Sequence, residues 1–240
     1  MPADISGDFS YIAGQWSAVC ERVAAACRDA GRDPSEVSIL PVSKTFPVDA
    51  IREASRLGLR RFGENKVQEI RDKAGPLADC AINWVVIGHL QTNKAKDVAR
   101  LASEVQSLDR LDLAQALQRR LEQEGRSLDV LVQVKTSPEE SKSGLAPAQL
   151  PGFLDALEPL TALRVQGLMT MAVHSLDTEA VRACFRELRL LREDEARRGR
   201  VLPRLSMGMS GDFPSAIAEG ASEIRIGTAI FGRRQPTVID

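Results

Sequence analysis

The stretch VSILPVSKT, residues 37–45, decides the fold. It predicts a short buried strand that closes directly on Lys44 and Thr45. A doubly wound open sheet usually carries a glycine-rich turn after its first strand, and this stretch contains no glycine. Further apolar runs of similar length follow along the chain. The predicted strands are residues 37–43, 59–63, 82–88, 104–107, 128–135, 163–169, 204–208 and 223–227.

Amphipathic segments of helical periodicity separate these runs. They begin near Val48, Lys66, Thr92, Arg110, Pro147, Asp177 and Phe213, with a short turn after Thr228. Strands that alternate with helices form a parallel sheet, and eight strand–helix units of roughly 30 residues match a (β/α)8 TIM barrel. An apolar stripe at Ile12, Val19 and Cys27 predicts an extra N-terminal helix over about residues 10–30. We expect an α/β fold with one domain, residues 1–240, whose barrel spans about residues 37–233; a doubly wound sheet is the alternative.

The composition excludes several classes of protein. Lys plus Arg (32) and Asp plus Glu (33) nearly cancel, whereas a nucleic-acid-binding protein shows a concentrated basic excess. The apolar runs are strand-sized, so no segment is predicted to span a bilayer, and residues 1–4 lack the basic start of a signal peptide. The four cysteines lack metal-ligand spacing and are typical of a reducing cytoplasm. We expect a metal-free cytoplasmic protein that binds neither nucleic acid nor membrane.

In a TIM barrel the functional residues lie at the carboxyl ends of the strands, and Lys44 lies at such an end. The chain has 25 arginines and seven lysines, so a charge without a special function would more often be an arginine. Strand alternation puts Leu40, Val42 and Lys44 on one face. If that face is the barrel interior, partial desolvation lowers the pKa of the lysine and favours the amine that forms a Schiff base with a carbonyl ligand. A surface lysine that ends a strand is the alternative.

Small-residue loops follow the seventh and eighth strands, where barrels commonly bind phosphate. The first loop contains Ser206 and Ser210, and the second contains Gly227 and Thr228. Glycine lets the backbone approach phosphate oxygens, and the hydroxyl groups add donors. The two loops together indicate a phosphate site, although each by itself is also consistent with a tight turn.

Arg225 is predicted to point into the barrel, because it alternates with Ile224 and Ile226. A guanidinium group there needs an acceptor, since an unpaired buried charge is very costly. It either forms an ion pair with a carboxylate such as Glu64 or donates to the nitrogen of an aromatic ring. An amine that condenses with an aldehyde, a phosphate cradle and an arginine for a ring nitrogen together describe one ligand, pyridoxal 5'-phosphate (PLP).

Several longer motifs resemble one known family. They are VSKT at 42–45, FGENKVQE at 62–69, IGHLQTNK at 87–94, ESKSG at 140–144, GLM at 167–169, LSMGMS at 205–210 and RIGTAIFG at 225–232. In combination, over residues 42–233, they resemble the YggS/PROSC family of pyridoxal phosphate homeostasis proteins. The resemblance implies a barrel similar to the N-terminal domain of alanine racemase.

The resemblance also implies which residues bind the cofactor. Lys44 matches the lysine that carries PLP as a Schiff base (an N6-pyridoxal phosphate lysine), Arg225 matches the arginine that faces the ring nitrogen, and Asn65 matches a polar residue beside the cofactor. The phosphate lies at the positions that match Ser206, Met209, Ser210, Gly227 and Thr228. Val85, Lys135 and Gly211 depart from the family pattern, and none of these departures removes a cofactor contact.

The function implied by the resemblance is intracellular PLP (vitamin B6) homeostasis and cofactor delivery by a non-enzymatic monomer. Its partners would be PLP and PLP-dependent apoenzymes. A PLP-dependent amino-acid racemase is the enzyme alternative, although the only tyrosine is Tyr11, before the first strand. A Schiff-base aldolase is a more distant alternative, which would need Lys44 and the phosphate loops but not Arg225. His89 is either a cofactor contact or a structural histidine.

Overall fold

A computed structural model describes residues 8–139 and 142–232 of the chain. The strands are β1 (Ser38–Pro41), β2 (Arg61–Glu64), β3 (Asn83–Val86), β4 (Ala102–Leu108), β5 (Leu128–Gln133), β6 (Leu163–Met169), β7 (Arg204–Ser206) and β8 (Glu223–Ile226). The α-helices are α1 (Tyr11–Asp29), α2 (Val48–Arg56), α3 (Val67–Ala74), α4 (Ala95–Leu101), α5 (Leu111–Gln123), α6 (Leu150–Leu157), α7 (Thr178–Arg197), α8 (Phe213–Ala218) and α9 (Thr228–Phe231). Single 3-10 turns lie at Pro34–Glu36, Ala78–Cys80, Thr92–Lys94 and Pro147–Gln149. Residues 1–4, 140–141 and 233, which belong to the N-terminus, the ESKSG motif and the predicted end of the barrel, lie outside the described residues.

The strands form one parallel sheet that curls into a barrel. Its order is β1-β8-β7-β6-β5-β4-β3-β2, so the first and last strands of the sequence pair with each other. β1 and β2 meet through a bridge between Val42 and Gly63, and the Ser43 N–H donates to the Gly63 carbonyl at 3.0 Å. The barrel is therefore nearly closed, which confirms the predicted (β/α)8 architecture and excludes the doubly wound sheet.

The strands are apolar on both faces because the barrel interior covers one face and the helices cover the other. In β5, for example, Val130, Leu131 and Val132 are all fully buried. The helices bury only one face. α7 begins where the Asp177 carboxylate accepts the Glu179 N–H at 2.9 Å, an N-cap that satisfies a backbone donor the helix cannot pair internally. Within the described part of the chain, none of the helices combines the length and the apolarity that crossing a membrane requires.

The predicted extra helix is α1, which contacts α8 and α9. Its stripe residues Ile12, Val19 and Cys27 are buried. The Tyr11 hydroxyl donates to the Phe231 carbonyl at 2.7 Å, which ties the start of α1 to the end of α9. This packing places the single tyrosine on the helical outside of the barrel.

The strand ends differ from the predicted bounds by a few residues. β1 stops at Pro41 instead of residue 43, because the backbone bonds beyond it divide between two strands: the Val42 N–H donates to Ile226, and the Ser43 N–H donates to Gly63. β4 is longer than predicted and begins at Ala102, which is fully buried. Its small and polar residues give a weak strand pattern in the sequence.

Candidate functional site

A cavity of about 690 Å³ opens at the carboxyl ends of the strands. This is the size range of small-molecule and cofactor sites. Seven of the eight residues that the resemblance selected line it, namely Lys44, Asn65, Met209, Ser210, Arg225, Gly227 and Thr228. They come from the ends of β1, β2, β7 and β8, which only the closed barrel brings to one place.

Lys44 lies just beyond β1, and its side chain is partly buried on the cavity wall. Leu40 and Val42, which alternate with it, are buried. Val42 and Lys44 both line the cavity, so they share the inward face that the alternation predicted, and Lys44 is not a surface lysine. The next residue, Thr45, has a φ of +69°, a left-handed conformation that threonine rarely adopts. The backbone therefore turns sharply away immediately after Lys44.

A buried ion cluster holds the backbone on both sides of Lys44. Lys73 of α3 donates to the Ser43 carbonyl at 3.0 Å, to Glu64 Oε1 at 2.8 Å and to Glu69 Oε2 at 2.9 Å. The Ser43 hydroxyl donates to Glu64 Oε1 at 2.6 Å, and the Thr45 N–H donates to Glu69 Oε2 at 2.6 Å. These bonds stabilise the left-handed turn at Thr45. Glu64 thus pairs with Lys73 and not with Arg225, so the ion pair that the sequence left open for Arg225 does not form.

Glu64 is fully buried, and its Oε2 has no hydrogen-bond partner among the described residues. Burial raises the pKa of this carboxyl to about 7, although Lys73 and the Ser43 hydroxyl act in the opposite direction. A carboxyl whose pKa is higher in the folded protein binds a proton that the unfolded chain releases. The contribution of Glu64 to stability therefore falls as the pH rises from the ordinary glutamate pKa of 4.5 to about 7.

We expect Glu64→Gln to remove this pH dependence. Between pH 4.5 and pH 7.5 the free energy of unfolding of the parent protein should fall by about 3 kcal/mol relative to that of Glu64→Gln, at 1.36 kcal/mol per pKa unit. Urea unfolding at a series of pH values measures the difference. Glu21→Gln on the exposed face of α1 is the control. Parallel stability curves for the parent protein and Glu64→Gln would contradict the raised pKa.

Arg225 lies beneath the cavity and is 4% exposed. Its Nη1 donates to the Ser206 hydroxyl at 2.8 Å, and its Nη2 donates to the Thr170 carbonyl at 2.8 Å. The predicted inward direction of this side chain is confirmed. Burial lowers the pKa of Arg225 to about 10, so the guanidinium group stays charged at neutral pH and acts only as a donor.

Ser206 is the one selected residue that is not among the described residues lining the cavity. It is fully buried inside the barrel. Its hydroxyl donates to Gln106 Oε1 at 2.7 Å and accepts the bond from Arg225. The structure therefore gives the Ser206 hydroxyl two protein partners below the cavity, and its contact with a phosphate stays a prediction.

The loop after β7 is shaped by its own residues. Gly208 has a φ of +93°, and a Cβ added there would lie 2.6 Å from the Cβ of Ala216, so only glycine fits this turn. The Met209 N–H donates to the Asp212 carboxylate at 2.5 Å. Burial raises the pKa of Asp212, while this bond and the charge of Arg225 oppose the shift. The loop thus has a defined shape along the cavity wall.

One wall of the cavity, which follows β5 and β6, contains residues that the sequence patterns did not single out. The additional lining residues there are Gln133, Ser143, Met171, Val173, His174, Ser175 and Leu176. The rule that pointed to Lys44 would also have found them, since they too follow the carboxyl ends of strands. His89 is exposed and lines the cavity, where it could contact a ligand, and its role stays a prediction. Of the departures from the family pattern, Gly211 lines the cavity and Val85 is buried in β3.

Comparison with known proteins gives close relatives. The family model of the alanine racemase N-terminal domain matches residues 18–235. The pyridoxal phosphate homeostasis protein of Pseudomonas aeruginosa is 44% identical over 225 residues, which cover 94% of this chain and 96% of that protein. The protein of the same name from Aquifex aeolicus is 43% identical over 220 residues, covering 91% and 96%.

Solved structures of similar proteins support the same relationship. PipY of Synechococcus elongatus PCC7942, solved with PLP bound, has a TM-score of 0.79 and 37% identity over 89% of this chain and 100% of its own. Alanine racemase from Corynebacterium glutamicum has a TM-score of 0.64 at 15% identity, over 93% of this chain and 62% of its own, and shows a shared fold alone. With these identities spread over nearly its whole length, the chain belongs to the alanine racemase N-terminal domain family and, within it, to the YggS/PROSC family of pyridoxal phosphate homeostasis proteins.

Proposed function

We propose that this chain binds PLP reversibly as a Schiff base on Lys44 and acts in PLP homeostasis, delivering the cofactor to PLP-dependent apoenzymes. One observation carries the proposal. All seven lysines lie in the described residues, and Lys44 is the one that lines the cavity. The printed names of the Pseudomonas and Aquifex relatives, and the PLP bound by PipY, support it.

The residues of the cavity fit the three reactive parts of PLP. Lys44 supplies the amine for the aldehyde, and Arg225 supplies a charged N–H for the ring nitrogen. The loops after β7 and β8 bring small residues to the wall, among them Ser210 and Gly227, where backbone and hydroxyl donors suit a phosphate. Asn65 supplies an amide on the same wall. When bound, the cofactor would contribute its aldehyde chemistry, and the protein would hold and release it.

A spectrum of the purified protein tests the proposal. We expect visible absorbance that borohydride abolishes, and transfer of the chromophore to a PLP-dependent apoenzyme with recovery of that enzyme's activity. A colourless protein that gains no absorbance on adding PLP would refute the binding. A coloured protein that never activates the apoenzyme would refute delivery. Light scattering tests the accompanying proposal that the protein is a monomer.

The phosphate part of the site predicts a preference for PLP over pyridoxal. Charge-assisted hydrogen bonds typically stabilise by about 1.5–3 kcal/mol each, so losing two of them should weaken binding of pyridoxal at least about 100-fold. Equilibrium titration of the protein with each compound measures the ratio. Equal affinities would contradict the phosphate site.

Gly227 offers a variant for the same prediction. A Cβ added at Gly227 would lie 3.2 Å from the Val42 carbonyl oxygen, a close contact with backbone. We expect Gly227→Val to lower the affinity for PLP much more than the affinity for pyridoxal, because its branched side chain would hold the phosphate away from the backbone donors. A thermal unfolding curve checks that the variant is folded, and an equal loss for both ligands would place the phosphate elsewhere.

A further inference from the structure

A column of buried polar side chains runs through the barrel from Arg225 to its opposite end. Arg225 donates to Ser206, and Ser206 donates to Gln106 Oε1 at 2.7 Å. The Gln106 amide nitrogen donates to Glu104 Oε1 at 2.7 Å and also to Glu223 Oε1. All five side chains are at most 4% exposed. We call these residues the polar column.

Two arginines bind the carboxylates at the far end of the column. Arg61 donates to both Glu104 and Glu223 at 2.8 Å, and Arg204 donates to Glu104 and to Glu223 at 2.9 Å. Burial alone would raise the pKa of Glu223, but Arg204 and Arg61 outweigh it and hold this pKa below its ordinary value. The charged groups that face the carboxylates are thus these two arginines. At neutral pH Glu223 is therefore an acceptor only.

The carboxylates impose one direction on every hydrogen bond of the column. Because they accept, the Gln106 side chain must present its NH₂ group to them, since its carbonyl oxygen would meet their negative charge. The carbonyl oxygen of Gln106 then faces Ser206, so the Ser206 hydroxyl must donate its only proton to it. The remaining lone pairs of Ser206 receive the Arg225 N–H. Reversing any one bond would leave two donors or two acceptors in contact.

We propose that Gln106 is a positioning residue that acts through Ser206 to hold the Arg225 guanidinium group in one orientation, as a fixed donor toward an acceptor nitrogen in the ring of the ligand. The identity of that ligand rests on the proposed function. The fixed orientation of the guanidinium group does not depend on it. Gln106 lies in the middle of β4, and it is not among the described residues that line the cavity.

The first test needs no ligand. In the unliganded protein we expect NMR to resolve the Nη resonances of Arg225, because its bonds to Ser206 and Thr170 slow rotation of the guanidinium group. Gln106→Leu should broaden or merge them. Gln118→Leu is the matched control, because Gln118 is also a buried glutamine, 7% exposed, but it lies in α5 and bonds Glu122 and the Ala162 N–H, which are not part of the polar column. Unchanged Arg225 resonances in Gln106→Leu would overturn the proposal whether or not PLP binds.

The second test uses PLP and pyridoxal. Loss of one hydrogen bond to a charged group should weaken binding by about tenfold or more. We expect Gln106→Leu to weaken binding of both compounds by the same factor and to shift the pH at which the visible band of bound PLP titrates. Gln118→Leu should change neither. A loss confined to PLP would mean that the column acts on the phosphate instead of on Arg225, and this would overturn the proposal.

Ser206→Ala is a second variant, used if Gln106→Leu does not fold. It removes a single oxygen and so breaks the hydrogen-bond chain between Gln106 and Arg225. If Ser206 acts through Arg225, this variant weakens binding of PLP and pyridoxal equally. If Ser206 serves the phosphate directly, only PLP binding weakens, and the proposal is wrong. Should the parent protein bind neither compound, the proposed function fails, while the NMR comparison still decides the role of Gln106.

Discussion

Lys44→Ala is expected to abolish the covalent attachment of PLP to this site. In the parent protein, borohydride reduction followed by peptide mapping should place the pyridoxyl group on Lys44, the one lysine on the cavity wall. Lys73 is buried and donates to Glu64, Glu69 and the Ser43 carbonyl, so its amine is held away from the cavity. The variant should therefore lose the reduced adduct on this peptide and most of the visible absorbance.

The fold should survive this substitution. Lys44 is partly buried just beyond β1 and is not part of the hydrophobic core, so shortening its side chain opens no cavity in the core. Thermal unfolding of Lys44→Ala beside Lys66→Ala tests this, since Lys66 is exposed at the start of α3. Lys66→Ala should keep the adduct. If the parent protein carries its adduct chiefly on Lys135 or Lys142, the assignment of Lys44 is wrong.

The second large effect is a missing reaction: we expect no amino-acid racemisation at an enzyme-like rate. Racemisation needs an acid or base on each face of the substrate Cα. Lys44 could serve one face once the substrate displaces it from the cofactor. Tyr11, the only tyrosine, donates to the Phe231 carbonyl at 2.7 Å and is not among the described residues that line the cavity. Without a positioned group on the second face, the rate should fall by about 10²–10⁴-fold.

Arg225 reduces the expected rate further. A charged donor facing the ring nitrogen disfavours protonation of that nitrogen, which weakens the ring as an electron sink. Incubating the PLP-loaded protein with L-alanine in D₂O and separating the enantiomers measures the reaction. His89 and His174 line the cavity, so His89→Ala and His174→Ala identify the base if one exists. Rapid formation of D-alanine that carries deuterium at Cα and is lost in Lys44→Ala would restore the racemase alternative.

Local sequence patterns predicted much of this architecture. The alternation of apolar runs and amphipathic segments is a property of neighbouring residues, and it predicted the eight strands and the barrel. The same alternation placed Arg225 inward and Lys44 on the face of Leu40 and Val42. Strand ends were less well predicted, as at Pro41, because they depend on which neighbouring strand accepts each backbone bond.

The partners of buried charges could not be predicted in this way. The sequence left Arg225 with two possible partners, a carboxylate such as Glu64 or a ring nitrogen. In the structure Glu64 pairs instead with Lys73, nine residues further along the chain. Arg225 is bonded to Ser206 and to the Thr170 carbonyl. No local pattern distinguishes these pairings, because Lys73 lies on α3 and Thr170 follows β6, and only the packing of these elements brings them to Glu64 and Arg225.

The sequence by itself determined the strand–helix order, the inward direction of Lys44 and Arg225, and most of the residues at the carboxyl ends where a cofactor site forms. Only the tertiary structure decided that Gln106 connects Glu104 and Glu223 to Ser206 and so to Arg225, because these residues come from β4, β7 and β8 and meet only when the barrel closes. Periodicity is set by backbone geometry within one strand. Closure of the barrel decides which polar groups can form hydrogen bonds across it. A buried polar group needs such a partner, because leaving it unpaired is costly.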